Sequence, residues 1–215
     1  MDEAQWIAAS KAGDVQAFNR LVIAYQEIAY NFAFRMLRHQ EAAADATQDA
    51  CIAAFTHIRD FHGGSFKAWL LRILLNRVYD QLRSRQRHPT DSLETLSQEE
   101  DAPVLQIANG GPGPEEVALS RELMEYLEAG LKLLPPDQRA TLILSDVQGM
   151  SYEEIATATG ANLGTVKSRL SRARSAVRGY LSVHAELLPA SLRHYFERDE
   201  TSGAKAPRLA MEDPS

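Results

Sequence analysis

The chain of 215 residues has a single cysteine. It can form neither an internal disulfide nor a multi-cysteine metal site. No uninterrupted apolar run approaches the roughly 18 residues of a membrane span. The opening MDEAQWIAAS is acidic and lacks the apolar core of a secretory signal. The six histidines, His39, His57, His62, His88, His184 and His194, show no HExxH and no paired metal spacing. Walker loops, dinucleotide fingerprints and GxSxG elbows are missing too. Convincing β-alternation occurs nowhere, and no repeat of fixed period is visible. The sequence therefore predicts a soluble, reduced, cytoplasmic chain without membrane insertion. It names no catalytic residue, no metal ligand and no cofactor site.

What is present is enough to fold. Apolar residues make up 45% of the chain and charged residues 24%, which excludes wholesale disorder. The net charge of −6 hides a strong asymmetry. Residues 61–87 carry Lys67, Arg72, Arg77, Arg83, Arg85 and Arg87 against the lone acid Asp80. Residues 88–128 carry ten acids against Arg121 alone. Residues 163–178 carry Lys167, Arg169, Arg172, Arg174 and Arg178 with no acid. Two basic elements thus flank an acidic middle, and cations concentrated on contact faces let an acidic protein bind a polyanion.

The periodicity predicts an all-α protein of two helical domains. Leu21, Tyr25, Ile28 and Phe32 form one helical stripe; Ala46, Ala50, Ala53 and Ala54 a second; Trp69, Leu70, Ile73 and Leu74 a third. Gly63-Gly64 separates the second helix from the third, and Ser65 is placed to N-cap the latter. Residues 1–87 are read as the first domain. Residues 88–114, rich in Pro, Gly and acids, are read as a flexible acidic linker. Residues 115–181 are read as a second helical domain. Residues 182–215 are read as a partly disordered extension in which Leu187, Leu188, Leu192 and Phe196 are spaced to make one short apolar face.

The sharpest local signal lies in the second domain. Ser151 and Glu154 form a capping box that starts a helix. Gly160 occupies the following turn, where a positive φ is tolerated. Asn162 is a suitable N-cap for the next helix. There Val166 and Leu170 face inward, leaving Lys167, Ser168, Ser171 and Arg172 outward. This is a helix-turn-helix with a basic, short-polar second helix, suited to a DNA major groove.

Several motifs occur together: Gly13-Asp14-Val15-Gln16-Ala17-Phe18, Asp45-Ala46-Thr47-Gln48-Asp49-Ala50, the run from Phe61 to Arg77, Leu134-Pro135-Pro136-Asp137-Gln138-Arg139 and Gly164-Thr165-Val166-Lys167-Ser168-Arg169. In this order they resemble the extracytoplasmic-function group of bacterial sigma-70-family factors, over roughly residues 10–180. Cys51 departs from the pattern, standing where the family usually has a bulky apolar residue. A buried free thiol is the simplest reading, and a redox switch is the other.

The resemblance implies an RNA polymerase sigma factor that directs the core enzyme to promoters and initiates transcription. The implied partners are core RNA polymerase, promoter DNA and an anti-sigma factor. Asp45, Gln48 and Asp49, on one helix face, would dock on the polymerase clamp. His62, Gly63, Ser65, Phe66, Asn76 and Arg77 would take the melted −10 element, with Arg72, Arg77, Arg83, Arg85 and Arg87 on phosphates. Stacking aromatics within a basic groove suit single-stranded DNA, although Phe66 and Trp69 also read as core. Lys167, Ser168, Ser171 and Arg172 would read the −35 element. The acidic linker is either an RNA mimic inside the polymerase or a plain tether. Two alternatives stay open: a helix-turn-helix regulator without sigma activity, and a helical protein whose basic faces bind protein.

Overall fold

The computed structural model describes residues 2–87 and 125–183. The linker at 88–114, residues 115–124 and the extension beyond residue 183 lie outside the described residues. Among the described residues there is no strand, and no helix is long and apolar enough to cross a membrane. The chain divides into two compact units: Met1–Pro103 with Met150–Val166, and Val104–Gly149 with Lys167–Ser215.

The first unit begins with α1 (Glu3–Lys11) and α2 (Val15–Leu37). Gly13, at φ +99°, turns the chain between them. Asp14 then caps α2 by accepting the N–H groups of Gln16 and Ala17. α2 ends at Arg38, which adopts the left-handed conformation at φ 56° and returns its N–H to Phe34. The His39 ring then caps α3 (Gln40–Thr56), its Nδ1 accepting the Ala42 N–H at 3.2 Å. A short 3₁₀ turn, Ile58–Asp60, and the loop from Phe61 to Ser65 lead into α4 (Phe66–Arg87). Ser65 caps α4 through Oγ, which accepts the Ala68 N–H at 3.2 Å.

The core of α1 to α4 follows the helical stripes with a shift in phase. Leu21, Phe32, Ala46, Ala50 and Ala54 are buried, whereas Tyr25, Ile28 and Ala53 are half-buried. On α4 the buried face is Phe66, Leu70, Leu71, Leu74, Leu75 and Val78. Trp69 and Ile73, expected in the core stripe, are only half-buried and belong to the edge of a different face.

Residues 125–132 are helical (α5) and α6 spans Pro136–Leu142. Pro136 opens α6 where its missing N–H costs nothing. α6 runs on into one π turn, Ile143–Val147, closed by the Gln148 N–H on the Ile143 carbonyl at 2.9 Å. Then come α7 (Tyr152–Thr159) and α8 (Leu163–Val183).

Candidate nucleic-acid interface

The helix-turn-helix signals take the expected local form. Both arms of the capping box are made: Ser151 Oγ accepts the Glu154 N–H at 3.2 Å, and the Glu154 carboxylate accepts the Ser151 N–H at 2.8 Å. Gly160 ends α7 at φ +66°. Asn162 Oδ1 accepts the Thr165 N–H at 2.8 Å and starts α8.

α8 sorts its side chains by direction, at about 100° per residue. Val166, Leu170 and Ala173 are buried on one arc. Arg169 and Arg174 border that arc and are committed to ion pairs. Arg169 reaches Asp137 at 2.5 Å, and Arg174 grips Asp146 with two nitrogens at 2.6 and 3.0 Å. The opposite arc carries Gly164, Lys167, Ser168, Ser171, Arg172 and Ser175. Lys167, Ser171 and Arg172 are exposed and Ser168 is half-buried. Short side chains between two cations leave room for a duplex edge and supply donors for phosphate and base.

The first unit carries a groove of about 520 Å³ between the end of α3, the 3₁₀ turn and α4. Its walls are Ala53, His57, Asp60, Trp69, Arg72, Ile73, Asn76 and Arg77. Trp69, Arg72, Ile73 and Asn76 share one face of α4, being separated by three or four residues. Asn76, Arg72 and Arg77 are exposed. The groove therefore joins an aromatic ring, an amide and two guanidinium groups. His57 and Asp60, bonded to each other at 3.1 Å, complete its rim. Neither was named from sequence, because only the fold brings the end of α3 against α4. The wall on α4 was legible in principle, since Arg72 and Asn76 fall on the stripe of Trp69 and Ile73 and mark it as partly polar.

The other candidates for the −10 strand do not line this groove. His62, Gly63 and Gly64 are exposed in the loop before α4, with the glycines at φ +99° and +85°. Phe66 is 1% exposed and presents no free ring face. Its ring lies 5.9 Å from Phe61, 5.7 Å from Trp69 and 5.6 Å from Tyr25, so it supports the loop from beneath. Arg85 is also displaced from its expected role as a phosphate ligand. It is half-buried and donates to the Leu37 carbonyl at 3.1 Å, closing the end of α2. Desolvation lowers its pKa from the ordinary arginine value. Arg83 pairs with Asp80 at 3.4 Å on the exposed side of α4.

Asp45, Gln48 and Asp49 are all exposed on α3. Ile52 (57% exposed) and Phe55 (40%) continue the same face. A face that mixes acids with exposed apolar side chains suits a protein partner better than solvent. A shallower groove of about 310 Å³, lined by Asp49, Ile52, Ala53, Thr56, His57 and Arg77, adjoins this face and shares Arg77 with the larger groove. Cys51 on the neighbouring face is half-buried rather than buried, and desolvation raises its thiol pKa. Among the described residues no group of three His, Cys, Asp or Glu is placed to hold a metal ion.

Comparison with known proteins gives this arrangement a lineage. Residues 21–88 match the model for sigma-70 region 2, and residues 124–177 match the model for sigma-70 region 4. The chain is 35% identical over 169 residues to the ECF RNA polymerase sigma factor SigE of Mycolicibacterium smegmatis, covering 79% of this chain and 63% of that one, just under two thirds of its length. It is 35% identical over 170 residues to the ECF RNA polymerase sigma-E factor of Escherichia coli K12, covering 77% of this chain and 86% of that one. The sigma factor RpoE of Bartonella quintana, solved in complex with the anti-sigma factor NepR, superposes with a TM-score of 0.61 at 30% identity, covering 79% of this chain and 99% of that one. With α4 and its groove inside the region 2 match and most of α8 inside the region 4 match, the chain belongs to the extracytoplasmic-function group of the sigma-70 family of RNA polymerase sigma factors.

Proposed function

We propose that this chain is the promoter-specificity subunit of a bacterial RNA polymerase, acting in the cytoplasm and leaving catalysis to the core enzyme. In this reading residues 1–87 bind the core enzyme and open the −10 element, and residues 115–181 read the −35 element as duplex. Asp45, Gln48 and Asp49, extended by Ile52, dock on the polymerase. Asn76 and Arg77, with Arg72 and Trp69, receive the separated −10 strand beside the loop of His62, Gly63 and Ser65. Lys167, Ser168, Ser171 and Arg172 meet the −35 element. The Bartonella relative is bound by an anti-sigma factor, and we extend that class of partner to this chain.

The observation that carries this reading is the α4 groove. A helix-turn-helix alone serves any duplex-binding regulator. A groove combining an indole, an amide and two guanidinium groups instead suits an unstacked strand: the ring for stacking, the amide for a base edge, the cations for phosphates. Opening a base pair costs a few kcal/mol, so contacts made only to the opened strand act on that step.

The test is transcription from purified core polymerase on a promoter selected with this chain. Asn76→Ala is expected to leave core binding and −35 binding near normal. It should reduce permanganate-detected opening and run-off transcript from duplex DNA. A template already mismatched over the −10 region should recover part of the loss, because unpairing is already done. Promoter-specific DNA binding without any transcript would identify a plain regulator and defeat the proposal.

A further inference from the structure

α1 lies before the stretch matched to sigma-70 region 2, which starts at residue 21. It nevertheless reaches the loop that precedes α4, directly on the Phe61 side and through Tyr25 of α2 on the Phe66 side. At its C-terminal end, the Lys11 ammonium donates to the main-chain carbonyl of Phe61. The same ammonium sits 5.6 Å from the centre of the Phe61 ring. At its N-terminal end, Glu3 accepts a hydrogen bond from the Tyr25 hydroxyl, and the Tyr25 ring lies 5.6 Å from Phe66. Phe61 and Phe66 are the residues immediately outside His62–Ser65. Both are buried, and their rings meet nearly edge-on at 5.9 Å.

The loop between them is poorly determined by its own sequence. Gly63 and Gly64 both take positive φ, and a glycine pair has many other conformations available. Its shape is therefore set by how firmly its two ends are held. The far end has the Ser65 cap on α4. The near end has Phe61, whose carbonyl receives the Lys11 charge-assisted hydrogen bond, a stronger tie than a neutral one. Lysine at a helix C-terminus commonly serves the helix dipole, but this ammonium reaches across to another segment's carbonyl.

We propose that Lys11 is a positioning residue for promoter opening: it fixes Phe61, and through Phe61 the His62–Ser65 loop, in the conformation that receives an unstacked base. This inference rests on the assignment of the loop to the −10 strand. The gain comes from order established before the strand arrives, as in other preorganised sites.

The test uses holoenzyme reconstituted from core polymerase and the full chain. A fluorescein-labelled single-stranded −10 oligonucleotide reports strand capture by anisotropy, and a −35 duplex reports the other domain. Lys11→Met keeps the apolar stem and removes the bond; Lys11→Arg keeps a donor and a charge; His62→Ala probes the loop directly. Lys11→Met is expected to weaken the oligonucleotide about tenfold, the scale of one lost charge-assisted bond. Core assembly and −35 binding should hold, the melting temperature should fall by no more than a few degrees, and Lys11→Arg should restore most of the loss. The double variant Lys11→Met, His62→Ala should lose less than the product of the single effects, since both act through one loop. If His62→Ala weakens capture and Lys11→Met does not, the positioning role is wrong and the loop assignment stands. If neither weakens capture, the loop assignment fails and takes this proposal with it. If Lys11→Met weakens core, −35 and −10 binding alike with a lower melting temperature, Lys11 is a stability residue only and the proposal is overturned.

Discussion

The cations of α8 divide into two groups that one titration separates. Arg169 and Arg174 are held by Asp137 and Asp146 at 2.5 and 2.6 Å, beside the buried stripe. Lys167 and Arg172 are exposed on the opposite arc. Each phosphate contact contributes about 0.9 to the slope of log affinity against log salt for duplex DNA. Lys167→Ala should therefore flatten that slope by about 0.9 and weaken all duplexes similarly. Arg172→Ala should cost about 1–3 kcal/mol on the preferred −35 sequence and relax the preference at one base pair, with less effect on slope, if it grips a base edge. Arg169→Ala should leave both quantities near normal, since its guanidinium is already engaged with a carboxylate. Its cost falls on stability instead, at about 0.5 kcal/mol for a partly exposed pair. The assay is fluorescence anisotropy of a −35 duplex and a scrambled duplex across a salt series. Unchanged slope and preference for both Lys167→Ala and Arg172→Ala, with a flatter slope for Arg169→Ala, would show that the paired face is the one that meets DNA.

Three further outcomes are expected. Gly160 stands at φ +66° with open space around its missing Cβ, so Gly160→Ala should lose about 1 kcal/mol of stability from backbone strain alone, and Gly160→Asn less; equal melting for wild type and Gly160→Ala would refute this. The Tyr25 hydroxyl is pushed up to about 12 from 10.0, first by burial and then by its hydrogen bond to Glu3 and the nearby charge. A folded value above the unfolded one gives stability that is complete below pH 10 and is lost as pH rises through about 12; tyrosinate absorbance should show a late-ionising component that Tyr25→Phe removes. Burial raises the Cys51 pKa, so iodoacetamide should alkylate it more slowly than free cysteine at neutral pH, with urea abolishing the difference.

Features governed by adjacent residues were legible in the sequence. The Ser151–Glu154 box, the Gly160 turn and the Asn162 and Ser65 caps each depend on atoms within three residues, and each appears as expected. The break between α2 and α3 was not legible. Arg38 takes a left-handed conformation without glycine, and a histidine ring supplies the next cap. The π turn at Ile143–Val147 interrupts an apolar run with no proline or glycine inside it. The settings of Arg85 and Phe66 are not legible locally, because whether a basic or aromatic side chain faces solvent depends on a partner far away in sequence. For Arg85 that partner is the Leu37 carbonyl, and for Phe66 it includes Tyr25.

The proposed interface consists of what folding leaves over, and this fixes which substitutions are separable. On α4 the fold consumes Leu70, Leu71, Leu74, Leu75 and Val78 and leaves Arg72, Asn76 and Arg77 exposed. On α8 it consumes Val166, Leu170 and Ala173 and leaves Lys167, Ser171 and Arg172 exposed. Recognition can then change without refolding. Leu170→Ala removes a side chain that is 1% exposed, and a Leu→Ala change in a core costs about 2–5 kcal/mol. Ser171, its neighbour in sequence, lies on the exposed arc, where substitutions usually stay within about 0.5 kcal/mol. Ser171→Ala should therefore melt like wild type while altering promoter preference in a selection from randomised −35 sequences. Leu170→Ala should do the reverse, lowering the melting temperature while the surviving folded fraction keeps the original preference. Equal melting for the two variants, or a changed preference in Leu170→Ala alone, would mean that the arcs of α8 have been assigned the wrong way round.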